Sequence, residues 1–347
     1  MRRYFGVIII TLVMLTAGAC VDEISFETDR DGGQIVVDGG IYDRPGPYTL
    51  HLGLTTEANV VPIPLDNAIV RLFDENGNYE YYRKTGSGKY SLPGETVTGR
   101  RGGTYRLEIQ LPDGSVYGSI PETIPHINGF PGALLRIGTV PEQSASGRIR
   151  DVPAIFVNTN TIVPQTDEPL YLKWSVESVY AFIENEPSHP LAPPPDVCYV
   201  YQTRNPQTIS IISSKDLESN LIEGKELSVT RIDQPYQYYI RHVFLVHLHS
   251  ITERRYQYWN HVDQMINQTG TIFDVPPATV RGNIINLNDD SDTALGYFEA
   301  AALNSSPAFV TRGNLPISIS NPCPAMGAVC NNCLLLENST LERPIYF

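Results

Sequence analysis

The sequence predicts a mainly β protein. Three observations point that way: 27 prolines, 27 glycines and 20 tyrosines in 347 residues, short runs in which apolar and polar residues alternate between turn signals, and a single stretch of convincing helical periodicity. Such a composition favours many short strands joined by tight turns over helical bundles. The length is enough for two domains with real cores.

Residues 1–19 read as an export signal of the lipoprotein type. Arg2-Arg3 supply the cationic start, Phe5 to Leu15 the apolar stretch, and Ala17-Gly18-Ala19 the small residues before Cys20. The apolar stretch is shorter than the roughly 20 residues that span a bilayer, which disfavours the competing reading of an uncleaved anchor. Small neighbours leave the Cys20 thiol open to acylation. Palmitate-type chains on that cysteine would tether the protein, each buried methylene contributing about 0.8 kcal/mol. Ala17 stands where leucine is commoner. Loss of Arg2 and Arg3 takes the net charge from -13 to -15, and an acidic surface repels phosphate backbones, so nucleic acid is not an expected partner.

Residues 20–125 are expected to form one β-sandwich. Candidate strands are 34–42, 48–54, 68–74, 79–84, 89–92, 104–111 and 116–120. In Thr104 to Leu111 the residues Tyr105, Leu107, Ile109 and Leu111 alternate with polar ones, which buries one face and wets the other. Asp74-Glu-Asn-Gly77, Gly86-Ser-Gly88 and Pro112-Asp-Gly114 supply the turns. Seven short strands at this spacing suggest an immunoglobulin-like or transthyretin-like sandwich. From Pro121 to Asp167 the pattern looks irregular, and a domain junction is expected near Pro125.

Residues 126–347 are expected to form a larger β-rich domain. Leu170, Leu172, Trp174 and Val176 alternate along one strand, and Tyr238 to His249 holds a long strand running into the helix, at about residues 251–268. Ser250 and Glu253 have the spacing of a capping box, Ile251, Tyr258, Trp259, Val262, Met265 and Ile266 form the apolar stripe, and Gly270 is the stop. Pro190 to Pro195 reads as a stiff extended loop.

The order of several motifs resembles a family. These are Val36 to Tyr42, Ala68 to Asp74 with Asn76-Gly77, Gly88-Lys-Tyr90, Gly103-Thr-Tyr105 and Tyr117 to Pro121. Further along come the helix with Tyr256, Tyr258 and Trp259, then Phe273 to Pro277 with Gly282-Asn283, Gly296-Tyr-Phe298, Cys330-Asn-Asn-Cys333 and Arg343 to Phe347. Together they resemble the Bacteroidota lipoproteins grouped as domain-of-unknown-function family four-two-four-nine, often encoded beside TonB-dependent receptors. Asn332 and Phe347 depart from the Asp and Trp expected there. The resemblance implies an outer-membrane accessory lipoprotein, at the cell surface or on the periplasmic face, working with a TonB-dependent β-barrel receptor. Asp22-Glu23 is similar to surface-export signals, or else is a plain acidic linker.

Four further cysteines, Cys198, Cys323, Cys330 and Cys333, make an even set suited to two disulfides in an oxidising compartment. A bond from Cys198 to one of the other three is the preferred reading; closing a loop of over about a hundred residues is worth roughly 4–5 kcal/mol. Zinc at Cys330-x-x-Cys333 is the alternative, weakened by the lack of a second such pair. His247 and His249 share a strand face without a third ligand placed by sequence. Asn288 to Asp292 reads as a solvated turn, lacking the glycine and distal glutamate of a calcium loop. No nucleophile elbow, zincin, phosphate-loop or dinucleotide motif occurs, so neither catalytic residue, resident metal nor cofactor is expected. Aromatic residues crowd the second domain, and Tyr236, Tyr238, Tyr239, Tyr256 and Trp259 are candidates for a binding surface. The expected function is a non-catalytic accessory lipoprotein that binds a ligand or docks on a transporter, with a structural or assembly factor of the outer envelope as alternative and a surface hydrolase behind both.

Overall fold

Pairing of the alternating segments produces three sheets. The computed structural model describes residues 33–55, 62–126, 128–144, 147–185, 193–202, 209–268, 280–289, 292 and 294–347. The export signal with Cys20 and Asp22-Glu23, Pro190 to Ala192, Gly270, Phe273 to Pro277 and Asp290-Ser291 lie outside the described residues.

The N-terminal part supplies β1 (Ile35–Tyr42), β2 (Tyr48–Leu54), β3 (Ile63–Pro64), β4 (Ile69–Asp74), β5 (Tyr79–Tyr81), β6 (Arg83–Gly86), β7 (Lys89–Leu92), β8 (Thr104–Gln110), β9 (Val116–Ser119) and β10 (Glu122–Thr123). Apart from the two-residue β3 and β10, which have no expected counterpart, these match the expected strands to within about one residue. The exception is the run 79–84. It breaks at buried Tyr82, so β5 joins one sheet and β6 another.

After these come β11 (Phe130–Gln143), β12 (Ile149–Ile162), β13 (Tyr171–Ile183), β14 (Val197–Gln202), β15 (Ser210–Ser213), β16 (Leu221–Arg231), β17 (His242–Ile251), α1 (Glu253–Gln268), β18 (Ile284–Asn286), β19 (Leu295–Val310) and β20 (Ser339–Thr340). β11 and β12 correct the expectation of irregular chain across 121–167. They form a long hairpin in a sheet ordered β11-β12-β16. Pro131, Pro141 and Pro153 masked the pattern. The first two lie on β11, an edge strand, where a missing N–H costs little.

The main sheet is ordered β20-β14-β13-β17-β19-β1-β2-β7-β6, with β15 added to β13 and β3 to β2. β1 and β19 run parallel, Gly40 lying opposite Glu299. On one face of this sheet Val37, Ile41, Leu50, Phe298 and Ala300 pack against Val70, Leu72, Leu107 and Ile109 of the sheet β18-β9-β8-β4-β5. Farther along, Leu172, Trp174, Phe244, Val246 and Leu248 pack against Ile155, Val157 and Leu227 of the three-stranded sheet. The fold is therefore mainly β, with a sandwich in the N-terminal part that late strands complete: β19 beside β1 and β18 beside β9.

Two disulfides fix the C-terminal segment. Cys198 on β14 joins Cys333, and Cys323 joins Cys330. The four cysteines are buried together with Tyr180, Phe182 and Val200. Helix α1 begins at Glu253, not at 251, and the expected capping box is not formed. Ser250 and Ile251 are still strand residues, and the cap is Thr252, whose Oγ1 accepts from the Arg255 N–H at 3.2 Å. Ile266, placed in the apolar stripe, is 49% exposed, and the helix residue that is fully covered is Arg255.

The close approach of β1 and β19 depends on glycine. Gly296 has φ of +86°, and a Cβ there would run into the Val37 carbonyl oxygen. Both the left-handed backbone and the missing side chain are needed. Gly296→Ala is expected to lower unfolding free energy by about 2–3 kcal/mol. Urea titration followed by tryptophan fluorescence checks this, and an unchanged midpoint would contradict the pairing described.

Candidate functional site

The opposite face of the main sheet is polar where the first face is apolar. Odd-numbered residues of β13, β17 and β19 point to it, among them Lys173, Ser175, Glu177, His247, His249 and Glu299. Helix α1 docks on this face, and two consecutive arginines in its first turn explain how. Arg254 reaches Glu122 of β10 at 3.2 Å, and Arg255 Nε reaches Glu299 of β19 at 2.7 Å. Glu122 also accepts from the Thr252 hydroxyl and the Tyr297 hydroxyl, each at 2.6 Å, and from Asn283 Nδ2 at 3.4 Å. Both carboxylates are almost fully buried, and every bond above is charge-assisted, the condition under which such burial is tolerated.

Around Glu299 the charges are tightly arranged. The Arg255 guanidinium lies 4.4 to 5.1 Å from the rings of Tyr297, Trp259 and Tyr258, a cation–π enclosure that compensates part of its lost hydration. Lys173 Nζ lies 4.6 Å from the Trp259 ring. His249 Nδ1 is 3.1 Å from Glu299 and Nε2 is 3.1 Å from Ser175 Oγ. A neutral ring protonated at Nδ1 satisfies both contacts, donating to the carboxylate and accepting from the hydroxyl. Burial alone would raise the Glu299 carboxyl, but Lys173, Arg255 and His249 hold it well below the ordinary range. Burial pushes His249 down to about 4, against the upward pull of Glu299, with Lys173 adding to the fall. Burial lowers Lys173 and raises Tyr42, whose ring meets His249 edge-on at 5.8 Å.

Two further features adjoin this seat. A polar row continues from His247, bonded to Ser305 at 2.7 Å, towards Glu177, which accepts from the Tyr346 hydroxyl at 2.9 Å. Beside the first residues of α1 opens a cleft of about 550 Å³, lined by Tyr171, Glu168, Lys215, His126, Ser250 and Glu253 among others. That volume lies within the range of small-molecule sites, and its rim mixes both signs of charge with apolar walls. Ser250 Oγ, at its edge, and Trp259 Nε1, inside the α1 seat, are buried without a hydrogen-bond partner among the described residues.

The aromatic residues singled out from the sequence separate into three places. Tyr238, 1% exposed, belongs to the core and is no part of a surface; Tyr236 packs on Tyr180 and Phe182 near the disulfides. Tyr239 lies beside Arg312. Tyr256 and Trp259 share α1, the first against Tyr171 and the second over Lys173. Tyr236 and Tyr238 lie in a tight 3₁₀ turn that ends at Tyr239, ahead of the strand, which begins only at His242; such a turn points neighbours in different directions. His247 and His249 do share a face, each engaged by neighbouring side chains. Among the described residues no group of three or more His, Cys, Asp or Glu is arranged to hold a metal. Asp292 accepts from Tyr117 and Asn286, tying its loop to β9. Sequence reasoning missed Glu299, Arg255 and Glu122. The available signal was a lone carboxylate in the apolar run Tyr297-Phe-Glu-Ala-Ala-Ala-Leu303.

Two outcomes test this arrangement. Glu299→Gln leaves Lys173 and Arg255 uncompensated, and a loss of about 3–5 kcal/mol in urea unfolding is expected; a loss under about 1 kcal/mol would show that the cluster is not coupled to folding. The second concerns pH. His249 has a folded pKa of about 4 against 6.5 for the free side chain, so between those values the unfolded chain binds the proton and the native one does not. Stability then falls as pH drops, by about 2 kcal/mol from pH 7 to 5. His249→Asn, which keeps a donor towards Glu299 but does not titrate, should flatten that part of the profile. An equal slope in both proteins would refute the assignment.

A family described as a domain of unknown function (DUF4249) matches residues 21–306. No curated protein matches the sequence. Among solved structures, the chain is similar to a DUF4785 family protein from Legionella pneumophila at 9% identity, with 62% of this chain and 52% of that chain covered and a TM-score of 0.18. The chain thus spans about half the length of that protein, and the likeness is too faint to bear on fold or function. The match across residues 21–306 is of another order: the chain belongs to the DUF4249 family, the one its succession of motifs resembles.

Proposed function

We propose that the protein is an accessory lipoprotein of the outer membrane, held by acyl chains on Cys20, that captures a small ligand at the α1 cleft and docks on a TonB-dependent β-barrel transporter. The observation that carries the exported half of this reading is the pair of buried disulfides, Cys198–Cys333 and Cys323–Cys330. Bonds of this kind persist in oxidising compartments, and they agree with an export signal over residues 1–19, cut before Cys20. Ligand capture is supported by the cleft itself, whose lining combines Lys215 and His126 with Glu168, Glu253 and the apolar Ile124, Leu170 and Ile251. The transporter as partner rests on the resemblance of the motifs from Val36 to Phe347.

A tagged full-length chain extracted in mild detergent is expected to bring down a β-barrel receptor, and the Cys20→Ser variant to leave the membrane fraction. Recovery of the lipoprotein alone in several detergents would count against docking. A deletion strain separates the transport reading from the envelope-assembly alternative: a growth defect restricted to particular nutrients supports transport, and a general envelope defect supports assembly.

A further inference from the structure

The sheet β18-β9-β8-β4-β5 turns one face to the core and the other to solvent, and the solvent face carries an unusual set of side chains. At the edge strand β5, Tyr79 and Tyr81 are 46% and 49% exposed, although both are large rings that a sandwich normally covers. They lie on one face, two residues apart, with centroids at 5.6 Å and planes at 86°. On the next strand Phe73 lies 5.4 Å from Tyr79. Arg106 covers the Phe73 ring at 3.9 Å, and Arg71 lies 5.6 Å from it. Arg71 and Arg106 both reach Glu108. Arg71 also lies 6.0 Å from the Tyr79 ring, so two half-exposed rings stand beside a fixed group of hydrogen-bond donors and acceptors.

The platform is built, not incidental. Glu80, between the two tyrosines, turns to the other side and its carboxylate accepts from four successive backbone N–H groups, those of Gly94, Glu95, Thr96 and Val97, at 2.8 to 3.2 Å. Edge strand β5 is thereby clamped to the neighbouring loop. At the other end, Asp74 Oδ1 accepts from the N–H groups of Asn76 and Asn78 and closes the β4–β5 turn. A rigid hairpin presents rings already in position, which removes much of the ordering cost of binding.

We propose that Phe73, Tyr79, Tyr81, Arg71, Arg106 and Glu108 form a binding platform for a neutral carbohydrate chain. A pyranose offers an apolar face of C–H bonds and a rim of hydroxyl groups. The faces of Tyr79 and Tyr81 suit the first, and the Arg71–Glu108–Arg106 group suits the second. Charge selects among ligands. The two arginines and one carboxylate leave a single local positive charge on a chain of net charge -13, so a polyanion meets repulsion from the body of the protein, and a cation meets the arginines. A neutral, hydroxyl-rich ring meets neither. This site lies on β4, β5 and β8, apart from the α1 cleft, and it stands whether or not the cleft binds a ligand.

Affinity electrophoresis tests the platform. The full-length chain, carrying Cys20→Ser to avoid acylation, is run in native gels containing dextran, laminarin, xylan or glucomannan, with heparin and single-stranded DNA as anionic comparators. Retardation by at least one neutral polysaccharide is expected. Tyr81→Ala should weaken the fitted affinity about five- to tenfold, and the Tyr79→Ala/Tyr81→Ala pair should abolish it while the thermal midpoint stays within that of the parent. No retardation in any neutral polysaccharide, full affinity in the double variant, or retardation by the polyanions alone would each overturn the proposal.

Discussion

Strand β19 is the element on which the rest of the structure depends. It lies between β17 and β1 in the main sheet, antiparallel to one and parallel to the other. Its even-numbered residues Phe298, Ala300 and Ala302 belong to the N-terminal core, and Val310, farther along the same face, belongs to the second core. One strand thus takes part in two cores that sequence order would keep apart. Parallel pairing demands a long crossover, and here residues 43–294 lie between β1 and β19. Such contacts form only after a large loop entropy has been met.

The odd-numbered side of β19 carries a different constraint. Glu299 sits in a run of apolar residues, where an isolated carboxylate would be expelled or neutralised. Arg255, Lys173 and His249 keep it ionised instead, and each comes from a different element: α1, β13 and β17. A buried ion cluster of this kind adds little net stability compared with well-packed apolar side chains, but it penalises every arrangement in which one partner is missing. It therefore fixes where α1 docks. Glu122 does the same with Arg254 one residue earlier in the helix, so rotation of the helix by a single position would strand two carboxylates at once.

Local features were legible in the sequence and distant ones were not. The N-terminal strands were readable because Tyr105, Leu107 and Ile109 alternate without interruption and Asp74 to Gly77 marks its turn. The disulfide from Cys198 to the C-terminal group was anticipated, although the choice of Cys333 needed the fold. β11 and β12 were hidden by prolines that an edge strand tolerates. The cap of α1 was placed two residues early because Ser250 and Glu253 satisfy the spacing of a capping box, while Thr252, the residue that caps, has Arg255 where the motif expects an acidic partner. The buried cluster was out of reach for a further reason. Nothing local distinguishes Arg255 from the exposed Arg254 beside it, and only the packing of α1 over β19 and β10 shows that the first meets Glu299 and the second Glu122.

Continuity of the main sheet bears on function as well. Two domains joined by a linker move relative to each other by default, and a cleft at their junction would open and close with that motion. Here the junction is crossed by hydrogen-bonded strands: β1 pairs with β19, and β19 with β17. The cleft draws Ile124 and His126 from the end of the N-terminal part, and Tyr171 and Ser250 from strands of the second. The strand side of its wall is held by the same sheet that carries Glu299. Opening the cleft on that side would require breaking the ladder, so this wall stands before any ligand arrives. A wall fixed in this way lowers the ordering cost of whatever the cleft takes up, because binding energy need not be diverted into rearranging it.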